Sequence, residues 1–199
     1  MKIYTRVLFI PLLILLFSVV FSNQSNAQST LLTESFENAG NAPVGWATEV
    51  VSGGNTISFQ MGTAHPAGFS AYNGSYQVMF NSYSGNSGVN RLKRTSAFST
   101  IGYTNVTVDF AWLESYGFAT SPDKVEVQWS TDGTNWNTAG TFYRYNAVQG
   151  WKIKSQLLPA GAQGQNTLYI AFLFTSNYGN DCYLDYAHII ATNNPPPGM

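Results

Sequence analysis

Three acidic residues lie within a short stretch at the middle of the chain: Glu114, Asp123 and Glu126. A pair of carboxylates could support glycoside hydrolysis, one acting as general acid and the other as base or nucleophile. That chemistry requires the two groups to face each other across a cleft. Proximity in sequence does not establish this, and acids are far more often solvated. The two histidines, His65 and His188, are separated by most of the chain, so neither is placed as the base of a neighbouring nucleophile. His65 precedes Pro66 in a Gly/Ala-rich stretch, and His188 falls in an alternating segment as a sheet-face residue. Cys182 is the single cysteine. No internal disulfide can form, and no charge pattern marks a low-pKa thiol, so Cys182 is expected in the core. HExxH, GxSxG and glycine-rich phosphate loops are all missing from the sequence. These observations point to a non-catalytic protein.

One motif suggests otherwise. In VEVQWSTDGTNWNTAGTF (Val125 to Phe142), Ser130, Asp132, Gly133 and Trp136 nearly spell the Ser-x-Asp-x-Gly-x-x-Trp box of sialidase propeller blades. The spacing is one residue short, the match occurs once, and no blade-length repeat accompanies it. Asp-Gly between two alternating runs is instead a hairpin signal, because the turn needs positive φ. Trp129 and Trp136 then lie on the two arms as sheet-face residues.

The elements that would position any site are strands. VTVDFAWL (Val106 to Leu113), KVEVQW (Lys124 to Trp129), TLYIAFLF (Thr167 to Phe174) and CYLDYAHII (Cys182 to Ile190) alternate or are rich in β-branched and aromatic residues. Gly/Asn/Ser/Pro clusters separate them, and no amphipathic helical period appears. TLYIAFLF is apolar on both faces, as expected for a central strand covered on both sides. About ten such strands fit an all-β, two-sheet antiparallel sandwich of jelly-roll type.

The ends and the composition bound the context. Lys2 and Arg6, the apolar run Val7 to Phe21, and Ser25 and Ala27 before a cut form a secretory signal peptide over residues 1–27. The apolar run is shorter than a spanning helix needs, so no transmembrane anchor is expected after cleavage. Loss of Lys2 and Arg6 takes the net charge from −1 to −3. With charged residues at only 10% of the chain, no electrostatic grip on phosphate backbones is available, which argues against nucleic acid as a partner. The sandwich is expected over residues 28–192. The Pro-rich end, 193–199, is expected to be a linker stub leading to further C-terminal domains.

Three separated pieces together resemble a known family. LTESFENAGNAPVGW (Leu32 to Trp46) carries Phe-Glu and a Pro-Val-Gly-Trp turn, and RLKRTSAFS (Arg91 to Ser99) precedes the strand VTVDFAWL and the hairpin. WKIKSQLLPAGAQGQNTLYIAFLF then leads through TSNYGNDC into YLDYAHI. This order is similar to the MAM-type jelly roll, and more closely to the cleaved-adhesin and choice-of-anchor J domains of secreted Bacteroidetes proteins. Two departures stand out. Animal MAM domains carry disulfides that this chain cannot form. The adjacent acids that often follow Leu in the family's last strand are reduced to Asp185, followed by Tyr186. The resemblance implies one structural calcium ion where the first and last strands meet, with Glu34 or Glu37 and Asp185 as ligands. Calcium accepts such a mixed oxygen set at relaxed geometry. The alternative is that these are ordinary strand-end carboxylates.

Binding is the function that the remaining residues favour. Tyr72, Tyr76, Tyr83, Tyr116, Tyr145 and Tyr178 lie in or beside stretches dense in Gly, Ser and Asn, a combination common on recognition surfaces. Candidate ligand-binding residues are Tyr83, Asn86, Tyr116, Tyr145, Tyr178 and Asn180. The expected partner is a glycan or an extracellular or host protein, met by a secreted or cell-surface module. A structural accessory domain of a larger secreted protease or hydrolase is the alternative.

Overall fold

The structure, a computed structural model, describes residues 28–84 and 87–193. The signal-peptide segment, Asn86 and residues 194–199 of the Pro-rich end lie outside the described residues. Eleven strands and one 3-10 turn (Ala160–Ala162) follow one another: β1 (Gln28–Glu34), β2 (Trp46–Ser52), β3 (Ile57–Gln60), β4 (Gln77–Phe80), β5 (Val89–Arg94), β6 (Asn105–Glu114), β7 (Lys124–Ser130), β8 (Asn137–Tyr143), β9 (Gly150–Leu157), β10 (Tyr169–Thr175) and β11 (Cys182–Thr192). They form two antiparallel sheets. The six-stranded sheet runs β3-β4-β11-β6-β9 with β1 also on β11, and the five-stranded sheet runs β2-β5-β10-β7-β8. This is the expected all-β jelly-roll sandwich.

Period-2 alternation places the core. Val106, Val108, Phe110 and Trp112 of β6 meet Ile170, Phe172 and Phe174 of β10, with Val125 and Val127 of β7 and Leu92 of β5 beside them, all buried. Phe110 packs edge-on against Phe172 at 5.2 Å, and the indole of Trp112 donates to the Tyr143 carbonyl across the sandwich at 3.1 Å. Cys182 is fully buried in this core, where desolvation pushes its thiol well above its ordinary range. β10 is central, as its two-sided apolarity suggests, but its outer face is covered by long side chains rather than a third layer. Glu49 pairs with Arg91 (2.9 Å) and Lys93 (3.0 Å), and Arg91 also donates to Gln128.

β11 is the strand on which the six-stranded sheet is organised. One edge pairs with β6; the other pairs first with β4 (Cys182↔Phe80) and then with β1 (Glu34↔Ala187). The register against β6 shifts between Asp185 and His188, where Tyr186 adopts φ 48. This bulge changes which side chains face inward: Leu184 points into the core before it, and Ala187, Ile189 and Ala191 after it. β1 ends sooner than LTESFEN suggests. Phe36 adopts φ 59 and is fully buried, packing on Trp46 at 5.5 Å.

The Asp-Gly segment does join two paired strands, with Gly133 at φ 75. It is not a two-residue turn, because β7 ends at Ser130 and β8 starts at Asn137. Asp132 holds the wider loop, its Oδ1 accepting from the amides of Thr134 (2.8 Å) and Asn135 (2.7 Å). These bonds hold its carboxyl well below the usual range. The two tryptophans part company: Trp129 packs against the core, and Trp136 lies outside under the Arg91 guanidinium at 5.2 Å.

Candidate functional site

One end of the sandwich collects the loops that follow β2, β4, β6, β8 and β10, since antiparallel pairing brings all these strand ends together. A buried ion pair holds them. Asp123, just before β7, and Arg144, just after β8, are both fully buried, with Nε donating to Oδ2 at 2.9 Å. Asp123 Oδ1 accepts from Ser82 Oγ (2.6 Å) and from the amides of Asn177 (2.6 Å) and Gly179 (3.3 Å). Arg144 donates onward to Ser115 Oγ (2.9 Å) and to the carbonyls of Ser115, Gly117 and Phe118. Four loops thus converge on one charge pair whose polar atoms are satisfied, the condition under which a buried pair is tolerated. The loop after β2 joins through Asn55, whose amide donates to the Asn81 carbonyl at 2.9 Å.

The packing around this pair leaves no room at Gly179. A Cβ there would sit 1.7 Å from Asp123 Oδ2 and 2.6 Å from Arg144 Nη2. Gly179→Ala is therefore expected to destabilise by about 2–3 kcal/mol, the usual cost of overpacking or of parting a buried polar contact. A urea melt within about 0.5 kcal/mol of the parent would contradict this.

Because the loop backbones are gripped inward, their aromatic side chains point out. Tyr83, Tyr116, Phe118, Tyr145 and Tyr178 are all exposed at this end, Tyr116 at 59% and Tyr178 at 53%. Phe118 (φ 50) and Tyr178 (φ 62) occupy the left-handed region, which costs bulky residues free energy and persists where neighbours over-determine it. Here Phe118 O accepts from Arg144 and from the Ser121 amide, and the amides flanking Tyr178 both bind Asp123. Tyr83 is braced from the side: His65 stacks on it at 3.7 Å and 6°, and its amide donates to Asp181 Oδ1 at 3.0 Å. Burial pushes the Asp181 carboxyl up, against the hydrogen bonds from Tyr83 and His65.

The structure therefore brings Tyr83, Tyr116, Tyr145 and Tyr178 together and adds Phe118. Asn180 is corrected: it is only 8% exposed, and its amide donates inward to Ser115 Oγ (3.2 Å) and the Tyr116 carbonyl (3.1 Å). It positions Tyr116 and does not line the surface. Tyr72 lies elsewhere, on the outer face of the six-stranded sheet beside Trp151 and Tyr186. Arg144 carried no signal in the sequence, because its importance comes from a partner 21 residues away. The three mid-chain acids do not assemble into a catalytic pair. Asp123 is held by Arg144, Glu126 pairs with Lys124 at 3.1 Å, and Glu114 pairs with Lys154 and accepts from Asn146.

The candidate metal ligands separate into two groups. Both oxygens of Glu34 are engaged, by the Phe36 amide (2.8 Å) and the Trp46 indole (3.2 Å), so it closes the turn after β1. Glu37 and Asp185 instead grip one segment of the long β3–β4 loop. Glu37 Oε1 accepts from the amides of Ser75 (2.8 Å) and Tyr76 (2.6 Å), and Asp185 Oδ2 accepts from that of Asn73 (2.8 Å). Burial raises the Asp185 carboxyl to about 6, and the negative charge of Glu37 adds to the rise. Among the described residues, no group of three or more His, Cys, Asp or Glu side chains is arranged to hold a metal. Asp185 Oδ1 also accepts from the Tyr186 amide at 2.7 Å, so both of its oxygens are engaged, and only Glu37 Oε2 is left without a backbone donor of this set.

No family model matches the chain, and no curated protein matches it. Solved structures do. The K3 cleaved adhesin domain of Lys-gingipain from Porphyromonas gingivalis superposes with a TM-score of 0.61, at 22% identity, covering 82% of this chain and 99% of that one. The K1 domain of the same protein gives 0.59 at 25% identity, covering 81% and 97%. The CBM22-1 xylan-binding domain from Paenibacillus barcinonensis gives 0.53 at 12% identity, covering 86% and 99%. This chain therefore has the fold of a cleaved-adhesin type domain, the jelly roll also used by carbohydrate-binding modules.

Proposed function

We propose that this domain is a non-catalytic binding module of a secreted or cell-surface protein, taking a glycan or protein ligand at its aromatic loop end. The observation that carries this reading is the set of five exposed rings held by loops that share the buried Asp123–Arg144 pair. Loop backbones held in advance leave less conformational freedom to lose on binding, which favours affinity. The likeness to adhesin and xylan-binding domains supports the reading.

Calcium belongs to the same proposal. Glu37 and Asp185 would hold the ion, which would supply the positive charge that these two neighbouring carboxylates lack. These residues would then fix that loop across β11 and secure the N- and C-terminal strands without a disulfide. A structural accessory role within a larger protein is a second reading. It is favoured by the similarity to K1 and K3, which are both domains of one larger protein.

A glycan array and pull-downs with matrix proteins test the main reading. Tyr116→Ala and Tyr178→Ala are each expected to weaken binding about fivefold to tenfold, the scale of one ring contact. Thermal stability should hardly change, since both rings are exposed. Binding that ignores both substitutions, or no binding to any glycan or protein, would refute it.

A further inference from the structure

Strands β8 and β9 follow each other in the chain, yet each is the edge of a different sheet. The connection between them, residues 144–149, therefore crosses from one sheet to the other. The two edges lie close, since a Cβ at Gly140 of β8 would collide with the Gln156 side chain of β9. Strand β9 turns its lysines towards this seam. Register pairs Lys154 with Phe110 and Lys152 with Trp112, which puts both on the inward phase and leaves Trp151 and Ile153 on the outward one.

Three functional groups meet in the seam. Glu114, the last residue of β6, shares the inward phase of Phe110 and Trp112, and its side chain is only 8% exposed. Its Oε1 accepts from Lys154 Nζ, and its Oε2 accepts from the side-chain amide of Asn146 at 2.7 Å. One carboxylate thus holds an amine and a carboxamide side by side, one on each oxygen. Asn146 is also fixed by its backbone, whose amide donates to the Ser115 carbonyl at 3.1 Å. Its Oδ1 accepts from the Val148 amide at 2.9 Å. A nucleophile, a proton carrier and a carbonyl polarised by a backbone donor are the parts that amide exchange requires.

We propose that Lys154 and Asn146 join in an isopeptide bond, which the protein forms on itself with Glu114 as proton carrier. Nζ passes a proton to Glu114 Oε1 along their contact, which frees its lone pair. The amine attacks Cγ of Asn146, and the Val148 amide stabilises the charge that develops on Oδ1. Glu114 then gives its proton to Nδ2 and takes one from the attacking nitrogen. The Cγ–Nδ2 bond breaks, ammonia leaves with the remaining proton as ammonium, and the carboxylate is regenerated. Each molecule makes the bond once, so the step needs no rapid turnover. The bond ties β9 to the segment leaving β8, across a seam that a chain with one cysteine cannot close by a disulfide.

Intact-mass spectrometry of the full chain, purified and held at neutral pH, tests this. Each protein is compared with the mass its own sequence requires. The parent should lack one molecule of ammonia more than Lys154→Arg or Asn146→Ala does. Losses elsewhere, such as a succinimide at Asn73–Gly74, are common to all three and cancel. Trypsin should release from the parent a branched fragment in which Asn146 is joined to Lys154. Glu114→Gln keeps the shape but cannot carry the proton, and should slow the loss about a hundredfold or more. The parent's own mass and fragment decide the matter even if a variant does not fold. The proposal is overturned if the parent and Lys154→Arg show the same deficit, or if no branched fragment is found. A deficit that forms equally fast in Glu114→Gln overturns the role given to that carboxylate.

Discussion

Asp123→Ala should be the most damaging single substitution in the domain. It leaves the Arg144 guanidinium fully buried without its counter-charge and removes the acceptor shared by Ser82, Asn177 and Gly179. Breaking a buried pair from one side costs about 3–5 kcal/mol. For a domain of this length that corresponds to a melting temperature lower by roughly 10 °C. Asp123→Asn should lose most of the same stability, because its amide group would face the Arg144 donor. The double substitution Asp123→Leu/Arg144→Met should cost less than Asp123→Ala alone, since neither charge remains to be desolvated. The loop end should respond as a unit, with protease nicking in the segments around Tyr83, Phe118 and Tyr178 rising together. Urea melts placing Asp123→Ala within about 1 kcal/mol of the parent would show that the pair does not hold the loops.

Asp185→Asn is expected to remove a pH dependence of stability that the metal-free protein owes to this buried carboxyl. Burial, and then the charge of Glu37, raise the Asp185 carboxyl from 3.8 to about 6 in the folded state. The native state thus holds this proton more tightly than the unfolded chain does. Stability from this group is present below the unfolded value and is lost as pH rises through about 6. With chelator, the protein should therefore be more stable at pH 5 than at pH 7 as far as this group is concerned, by roughly 1 kcal/mol, with the full effect of about 3 kcal/mol reached only below the unfolded value. Asp185→Asn should flatten that dependence, while its amide group faces one of the two backbone donors, Asn73 or Tyr186, that the carboxylate now accepts from. Calcium at a hundredfold excess over Kd should add about 2.7 kcal/mol to the parent, or roughly 5–10 °C, and nothing to Asp185→Asn. Identical melting curves with and without chelator at millimolar calcium would remove the ion from the proposal and leave Glu37 and Asp185 as loop anchors.

How much of this could be read from the chain varies by segment. Alternation in VTVDFAWL, KVEVQW, TLYIAFLF and CYLDYAHII located β6, β7, β10 and β11, because a strand half-buried in a sandwich writes its own period into its composition. The loops dense in Tyr, Gly, Ser and Asn were legible for the same local reason. Errors arose where a contact distant in sequence overrides local preference. β1 stops at Glu34 because its carboxylate closes the turn on Phe36. The Asp-Gly turn widens because Asp132 binds two amides of its own loop. β9, apolar on its outward phase, carries a pattern that local reasoning would turn inward.

The sequence by itself determined the class of fold, the absence of a disulfide and the supply of aromatic loops, since each depends on composition or on neighbours a few residues apart. The tertiary structure alone decided which of those residues act together. Tyr83, Tyr116, Tyr145 and Tyr178 share one end because antiparallel pairing returns alternate strands to the same side. Asp123 finds Arg144, and Asp185 comes to lie beside Glu37, through contacts that close long loops. No local signal specifies such pairings, because their free energy arises only once the intervening chain has folded.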